Sequence, residues 1–87
     1  MKLNRISITE TMIAASVQAI QSDSTRYIEP TALGYTITER EPIAEAQSCY
    51  RITPDNKAAI RIDGRWIVKG AALRPSDARA IRAQVQS

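Results

Sequence analysis

The arginines around Asp63-Gly64 are the residues of this chain best placed to do chemistry. Arg61 and Arg65 flank these two residues between apolar, β-branched segments. That pattern is typical of a β-hairpin, because glycine adopts a positive φ without steric cost. Guanidinium groups donate paired hydrogen bonds to carboxylates and phosphates. We therefore predict that the hairpin supports a cationic surface for binding a macromolecule.

Other cations extend this predicted surface onto a neighbouring strand and the last helix. The chain carries −2 over residues 1–47 and +5 over residues 48–87, and arginines outnumber lysines nine to three. Such an uneven distribution favours an acidic partner. The residues predicted to bind that partner are Arg51, Arg61, Arg65, Lys69, Arg79 and Arg82.

The sequence leaves the register of the hairpin open. A two-residue turn pairs Ile62 with Arg65 and Arg61 with Trp66, whereas a three-residue loop with a bulge pairs Arg61 with Arg65. In both registers we expect Arg61 and Arg65 to lie near the exposed tip of the hairpin. The two-residue turn also places three isoleucines on one face: Ile60, Ile62 and Ile67.

The residue types in this chain give little support for catalysis. The chain has no histidine, so Ser, Cys and Thr lack their commonest base, and no N/S-donor zinc site can be assembled around its single cysteine. Glu39 and Glu41 could face the same way on a strand as an acid and base pair, but an exposed strand edge is the expected reading. Cys49 is expected to be a small buried hydrophobe rather than a reactive thiol. We predict a protein that is not an enzyme and has no cofactor or metal.

The composition indicates one globular α+β domain over residues 1–87. Hydrophobic residues make up 44% and charged residues 24% of the chain, and phenylalanine is absent. Because bulky rings are scarce, Trp66 is expected in the core. Tyr27 and Tyr35 are expected to pack in the core or on a sheet face, and the alternative is that they form one patch near the turn marked by Pro30 and Gly34.

Apolar periodicity and turn residues predict two helices and an antiparallel sheet. A capping box at Ser7–Glu10 and a stripe of Ile13, Val17 and Ile20 predict a helix over about 8–21. Pro75 and Asp77 predict a second helix over about 75–86. The predicted strands cover 26–29, 35–39 and a three-stranded meander over about 49–69, with both helices packed against the sheet. Residues 43–48 are ambiguous and could form one or two helical turns.

The sequence gives no indication of export or of a membrane span. Thr9 and Glu10 interrupt the apolar run that a signal peptide needs after its basic start, and no apolar segment approaches about 20 residues. The lone Cys49 excludes an intrachain disulfide. We expect a cytoplasmic protein.

The combined prediction is a small protein-binding module that docks on an acidic protein surface. One version is an inhibitor of the kind that phages or mobile elements carry, acting on a host complex that handles nucleic acid. The alternative is a nucleic-acid-binding protein that uses the Arg-rich hairpin and the C-terminal helix.

Overall fold

The fold contains two helices and one five-stranded antiparallel sheet. The computed structural model describes residues 8–43, 49–69 and 75–86, with only the backbone described at Lys69. The elements are α1 (Ile8–Ser22), β1 (Arg26–Thr31), β2 (Gly34–Thr38), β3 (Tyr50–Ile52), β4 (Ala58–Ile62), β5 (Arg65–Lys69) and α2 (Pro75–Val85). The predicted α+β class is confirmed, whereas Ser7 of the predicted capping box lies outside the described residues.

All five strands join a single sheet in the order β2-β1-β3-β4-β5. The predicted meander is confirmed as β3, β4 and β5, and each adjacent pair of strands is antiparallel. Strands β2 and β5 form the two edges. The register gives the sheet two faces, which we call the helix side, covered in part by α1, and the open face, turned away from it.

The turn between β1 and β2 is shorter than predicted. Pro30 and Gly34 lie within the strands and pair with neighbours, and the turn itself is Ala32-Leu33. Pro30 has no N–H to donate, but the pairing of β1 with β3 ends at Ile28, so no ladder bond is lost there. The strand predicted to reach Glu39 ends at Thr38.

The main core lies between α1 and the helix side of the sheet. Ala15 and Ala19, one helical turn apart, pack against Ile28 and Ile52, and all four are almost fully buried. Small side chains on α1 let the helix approach the strands closely. Burial of each isoleucine contributes about 2–3 kcal/mol.

Helix α2 packs on α1 rather than on the sheet. The predicted stripe of Ile13, Val17 and Ile20 lies on the other side of α1 from Ala15, so it does not face the sheet. Helix α2 lies on this side of α1. It contacts α1 and no strand in the described parts of the chain. The prediction that both helices pack against the sheet is therefore wrong for α2, and its Ile81 is buried in the second helical layer.

The connection from β2 to β3 crosses the open face of the sheet. Strands β2 and β3 run parallel on either side of β1, so the chain must pass over β1 to join them. Residues 41–43, which we call the strap, reach as far as β4 and β5 on that face. Residues 44–48, where a helical turn was possible, lie outside the described residues.

Candidate functional site

The hairpin of β4 and β5 has the two-residue turn. Asp63 and Gly64 both have positive φ, 51° and 77°, as a type I′ turn requires. Ile62 pairs with Arg65, and Arg61 pairs with Trp66. Since side chains alternate between faces along a strand, Arg61 lies on the open face and Arg65 on the helix side.

Arg61 is buried under the strap. Only 7% of its side chain is exposed. Its Nη1 donates hydrogen bonds to the carbonyl oxygens of Pro42 (3.0 Å) and Ile43 (2.7 Å), and its Nη2 lies 3.4 Å from Oε1 of Glu41. The guanidinium is thus paired with a carboxylate, and its Nη1 is bound to two backbone carbonyls, so it holds the strap on the sheet.

Trp66 completes a polar and aromatic cluster on the open face. Its Nε1 donates a 2.7 Å hydrogen bond to Oε1 of Glu41. The Cζ atoms of Arg61 and Arg51 lie 4.7 and 5.1 Å from the centre of its ring, distances typical of cation–π contacts. The ring of Tyr27 is 6.0 Å away. We call these five residues the Trp66 cluster.

The Trp66 cluster overturns the prediction that Trp66 lies in the core. Trp66 is only partly buried and lies on the open face, away from the core beneath α1. Tyr27 and Tyr35 pack on the sheet as expected, Tyr27 on the open face and Tyr35 on the helix side against the core, so the alternative of one shared patch is excluded by the register. The strap supplies the polar partners that allow an indole ring to be half buried there.

The six predicted binding residues do not form one surface. The prediction that Arg61 and Arg65 lie together in water is wrong, because they occupy opposite faces and Arg61 is paired internally. Arg51 shares the open face with Arg61 and contacts Trp66. Arg79 and Arg82 are exposed on α2, in the outer helical layer. Lys69 ends β5 opposite Ala58, and its side chain is outside the description.

A different surface lies on the helix side of the hairpin. Ile62 and Ile67 are 45% and 46% exposed, and both neighbour the half-buried Ile60 in the pairing of β4 and β5. Arg65, paired with Ile62, is exposed and has no ion-pair partner among the described residues. Neither described helix contacts β4 or β5. We call Ile62, Arg65 and Ile67 the hairpin patch.

Alternation in the sequence placed these isoleucines on one face but did not indicate that no described helix covers them. Alternation along β4 and β5 was enough to align Ile60, Ile62 and Ile67. Whether a helix covers them depends on where α1 and α2 pack, and α1 ends its contacts at β3. No local sequence pattern indicates where the helices pack on the sheet.

The carboxylates considered for acid–base chemistry serve as separate ion-pair partners. Glu39 lies 3.4 Å from Nη2 of Arg26, and Glu41 holds Arg61. Both follow the end of β2, so they do not project side by side from a strand. Arg26 and Glu39 line a shallow cleft of about 530 Å³ in which the guanidinium is already occupied by Glu39 and by the Ser24 hydroxyl.

Cys49 is fully buried beside the Trp66 cluster. Its carbonyl oxygen accepts a 3.0 Å hydrogen bond from the backbone N–H of Arg61. Burial raises the pKa of the Cys49 thiol, against a smaller lowering by Arg61 and a further rise from Glu29. This environment disfavours the thiolate that nucleophilic chemistry requires.

The described residues include no group of three or more side chains arranged to hold a metal ion. Neither described helix combines the length and apolar character needed to span a bilayer. No protein-family model, curated protein or solved structure matches this chain.

Proposed function

We propose that this chain is a small, non-enzymatic protein-binding module that docks through the hairpin patch. The observation that supports the proposal is the pair of half-exposed isoleucines, Ile62 and Ile67, beside the exposed Arg65 on strands that no described helix covers. Protein–protein interfaces have an apolar centre and are enriched in arginine relative to the rest of the protein surface. Contiguous exposed apolar side chains commonly mark such contacts.

The partner that fits this patch is a protein surface with an apolar centre and carboxylates around it. A carboxylate would pair with the exposed guanidinium of Arg65 through charge-assisted hydrogen bonds. The acidic partner predicted from charge distribution is retained, but the residues that meet it change. Arg65 remains in the proposed interface, whereas Arg61 is replaced by its apolar neighbours.

The narrower expectations stay predictions. An inhibitor of a nucleic-acid-handling complex is one form that a module of this size could take. A cytoplasmic location is supported by the single cysteine, a buried thiol. Nucleic-acid binding through the hairpin has less support from the structure than from the sequence, because the Arg61 guanidinium is bound to Glu41 and to backbone carbonyls.

Affinity capture from the native source, with and without nuclease treatment, tests the proposal. The parent chain should retain a protein partner after nuclease treatment, and the double variant Ile62→Ser, Ile67→Ser should lose it. Leu33→Ser is the matched control, since Leu33 is 59% exposed in the turn between β1 and β2. Equal capture by the parent and the double variant would overturn the proposal, and loss of all capture on nuclease treatment would favour nucleic acid.

A further inference from the structure

We propose that β5 binds an extended acidic segment of the partner as an additional strand of the sheet. This inference rests on the proposed function and specifies how the hairpin patch is used. Strand β5 is an edge of the sheet, and no described strand pairs with its outer side. Extended peptides commonly add to such edges, where backbone hydrogen bonds supply affinity and flanking side chains supply specificity.

The hairpin register identifies the backbone groups that face the free edge. The residues flanking a two-residue turn, Ile62 and Arg65, exchange hydrogen bonds, so the next pair, Arg61 and Trp66, does not. The backbone N–H of Arg61 confirms this, because it is directed at the carbonyl of Cys49 on the β3 side. The N–H and C=O groups of Trp66, and by the same alternation those of Val68, therefore point outward from the sheet.

Charge on this edge selects the kind of segment that fits. Arg65, Ile67 and Lys69 occupy alternate positions of β5 on the helix side. A strand that hydrogen-bonds to Trp66 and Val68 places its own alternate residues beside those three. Opposite charges and apolar pairs directly across a sheet stabilise it, so the complementary pattern is acidic, apolar, acidic at every second residue.

The same charges disfavour a second copy of this chain as the occupant. In the antiparallel register that uses the edge groups of both Trp66 and Val68, β5 would pair with its copy so that Arg65 lies opposite Lys69 of the other chain. Like charges directly opposite each other destabilise a sheet. Basic residues on an edge strand also discourage nonspecific pairing of edges.

Amide NMR of the whole chain with a designed peptide tests this inference. The probe is acetyl-TETITET-amide, and acetyl-TKTITKT-amide is its charge-reversed control. The acidic peptide should shift the amide resonances of Trp66 and Val68 and slow their hydrogen exchange, and the basic peptide should not. Absence of these changes at millimolar peptide, or equal changes with the basic peptide, would overturn strand addition.

Removal of single backbone donors gives a sharper test. N-methylation of the threonine at position 3 or at position 5 of the probe should weaken binding about fivefold for the hydrogen bond lost, whereas N-methylation of its isoleucine should not, since that N–H points away from β5. Val68→Pro removes an outward N–H without breaking the β4 ladder, and Val68→Ala keeps it. Equal binding by Val68→Pro and Val68→Ala would contradict the inference.

The native partner separates this inference from the proposed function. If Val68→Pro still captures the partner that the Ile62→Ser, Ile67→Ser variant loses, strand addition is wrong and the protein-binding function stands. If the parent chain captures no protein at all, the proposed function itself is wrong. Loss of capture by both variants, with Val68→Ala unaffected, supports both.

Discussion

Arg61 and Arg65 flank the same turn but lie on opposite faces of the sheet, one buried under the strap and the other exposed beside two isoleucines. Their equal charge therefore has different consequences. Arg61 neutralises Glu41 and fixes a connection across the sheet. Arg65 is exposed and has no ion-pair partner in the described parts of the chain, so it can meet a partner protein.

Charge reversal at these two positions should separate stability from binding. Arg61→Glu places a second carboxylate beside Glu41 and leaves the carbonyls of Pro42 and Ile43 without their donor, so the free energy of unfolding should fall by about 2–4 kcal/mol. Arg65→Glu should change it by less than about 0.5 kcal/mol. Urea unfolding followed by the fluorescence of Trp66 measures both.

Arg40→Glu is the matched control for Arg65→Glu, because Arg40 is an exposed arginine that follows β2 at the other edge of the sheet. A loss of stability in Arg65→Glu as large as that in Arg61→Glu would contradict the two-sided arrangement of the hairpin.

Glu41 should contribute to stability through both of its contacts. Glu41→Gln keeps an oxygen for Nε1 of Trp66 but removes the charge facing Arg61, so a loss of about 1 kcal/mol is expected. Glu41→Ala removes both contacts and should cost about 2 kcal/mol. Glu39→Gln, which alters the ion pair that the exposed Glu39 carboxylate makes with Arg26, should cost less than about 0.5 kcal/mol.

A double-mutant cycle of Glu41→Ala with Trp66→Phe isolates the hydrogen bond to the indole. A coupling energy of about 1 kcal/mol is expected. A coupling energy near zero would show that the indole and the carboxylate act independently.

Ser16→Ala should stabilise the protein. The Ser16 hydroxyl is buried and has no hydrogen-bond partner among the described residues. Burial of such a hydroxyl costs about 1–2 kcal/mol, and alanine also favours the helix. Chemical unfolding should show a gain of about 1 kcal/mol, and a loss of stability would mean that the hydroxyl is satisfied in solution.

Stability should fall in alkaline solution because two groups, the buried Cys49 thiol and the partly buried Tyr50 phenol, resist ionisation. Burial raises the pKa of the Cys49 thiol and of the Tyr50 phenol above their usual values of 9.0 and 10.0. The folded chain therefore keeps these protons to higher pH than the unfolded chain does. The free energy of unfolding should be constant with respect to these groups below about pH 9 and decrease as the pH rises further.

Cys49→Ala identifies the thiol as the source of the first part of this decrease. The variant should show a shallower slope between pH 9 and 10, measured as the urea midpoint against pH, whatever its stability at neutral pH. An unchanged slope would assign the effect to other groups.

Local sequence patterns predicted the elements of this fold well and their mutual packing poorly. The turn at Asp63-Gly64 and the periodicity of the flanking residues were enough for the hairpin and the meander. The side of α1 that meets the sheet could not be predicted from apolar periodicity, because Ile13, Val17 and Ile20 are more apolar than the Ala15 face that packs there. Apolar character does not reveal that small side chains permit the closer approach.

The candidate site was harder to predict because it depends on contacts between distant segments. Arg61 is buried by carbonyl groups 18 and 19 positions earlier in the chain. Nothing in the residues around Arg61 signals those acceptors, so its guanidinium was expected in water. The exposed isoleucines were aligned correctly, but their exposure follows from the limited reach of α1.

The strap also has a consequence for local unfolding. A hairpin at the edge of a sheet that no described helix touches would ordinarily fray independently of the rest of the domain. Because Arg61 and Trp66 tie it to a connection that starts from β2 at the far edge, opening of β4 and β5 must also release that connection. Unfolding of the two edges of the sheet is therefore coupled through the strap on the open face. The hairpin can consequently present a preorganised edge strand to a ligand.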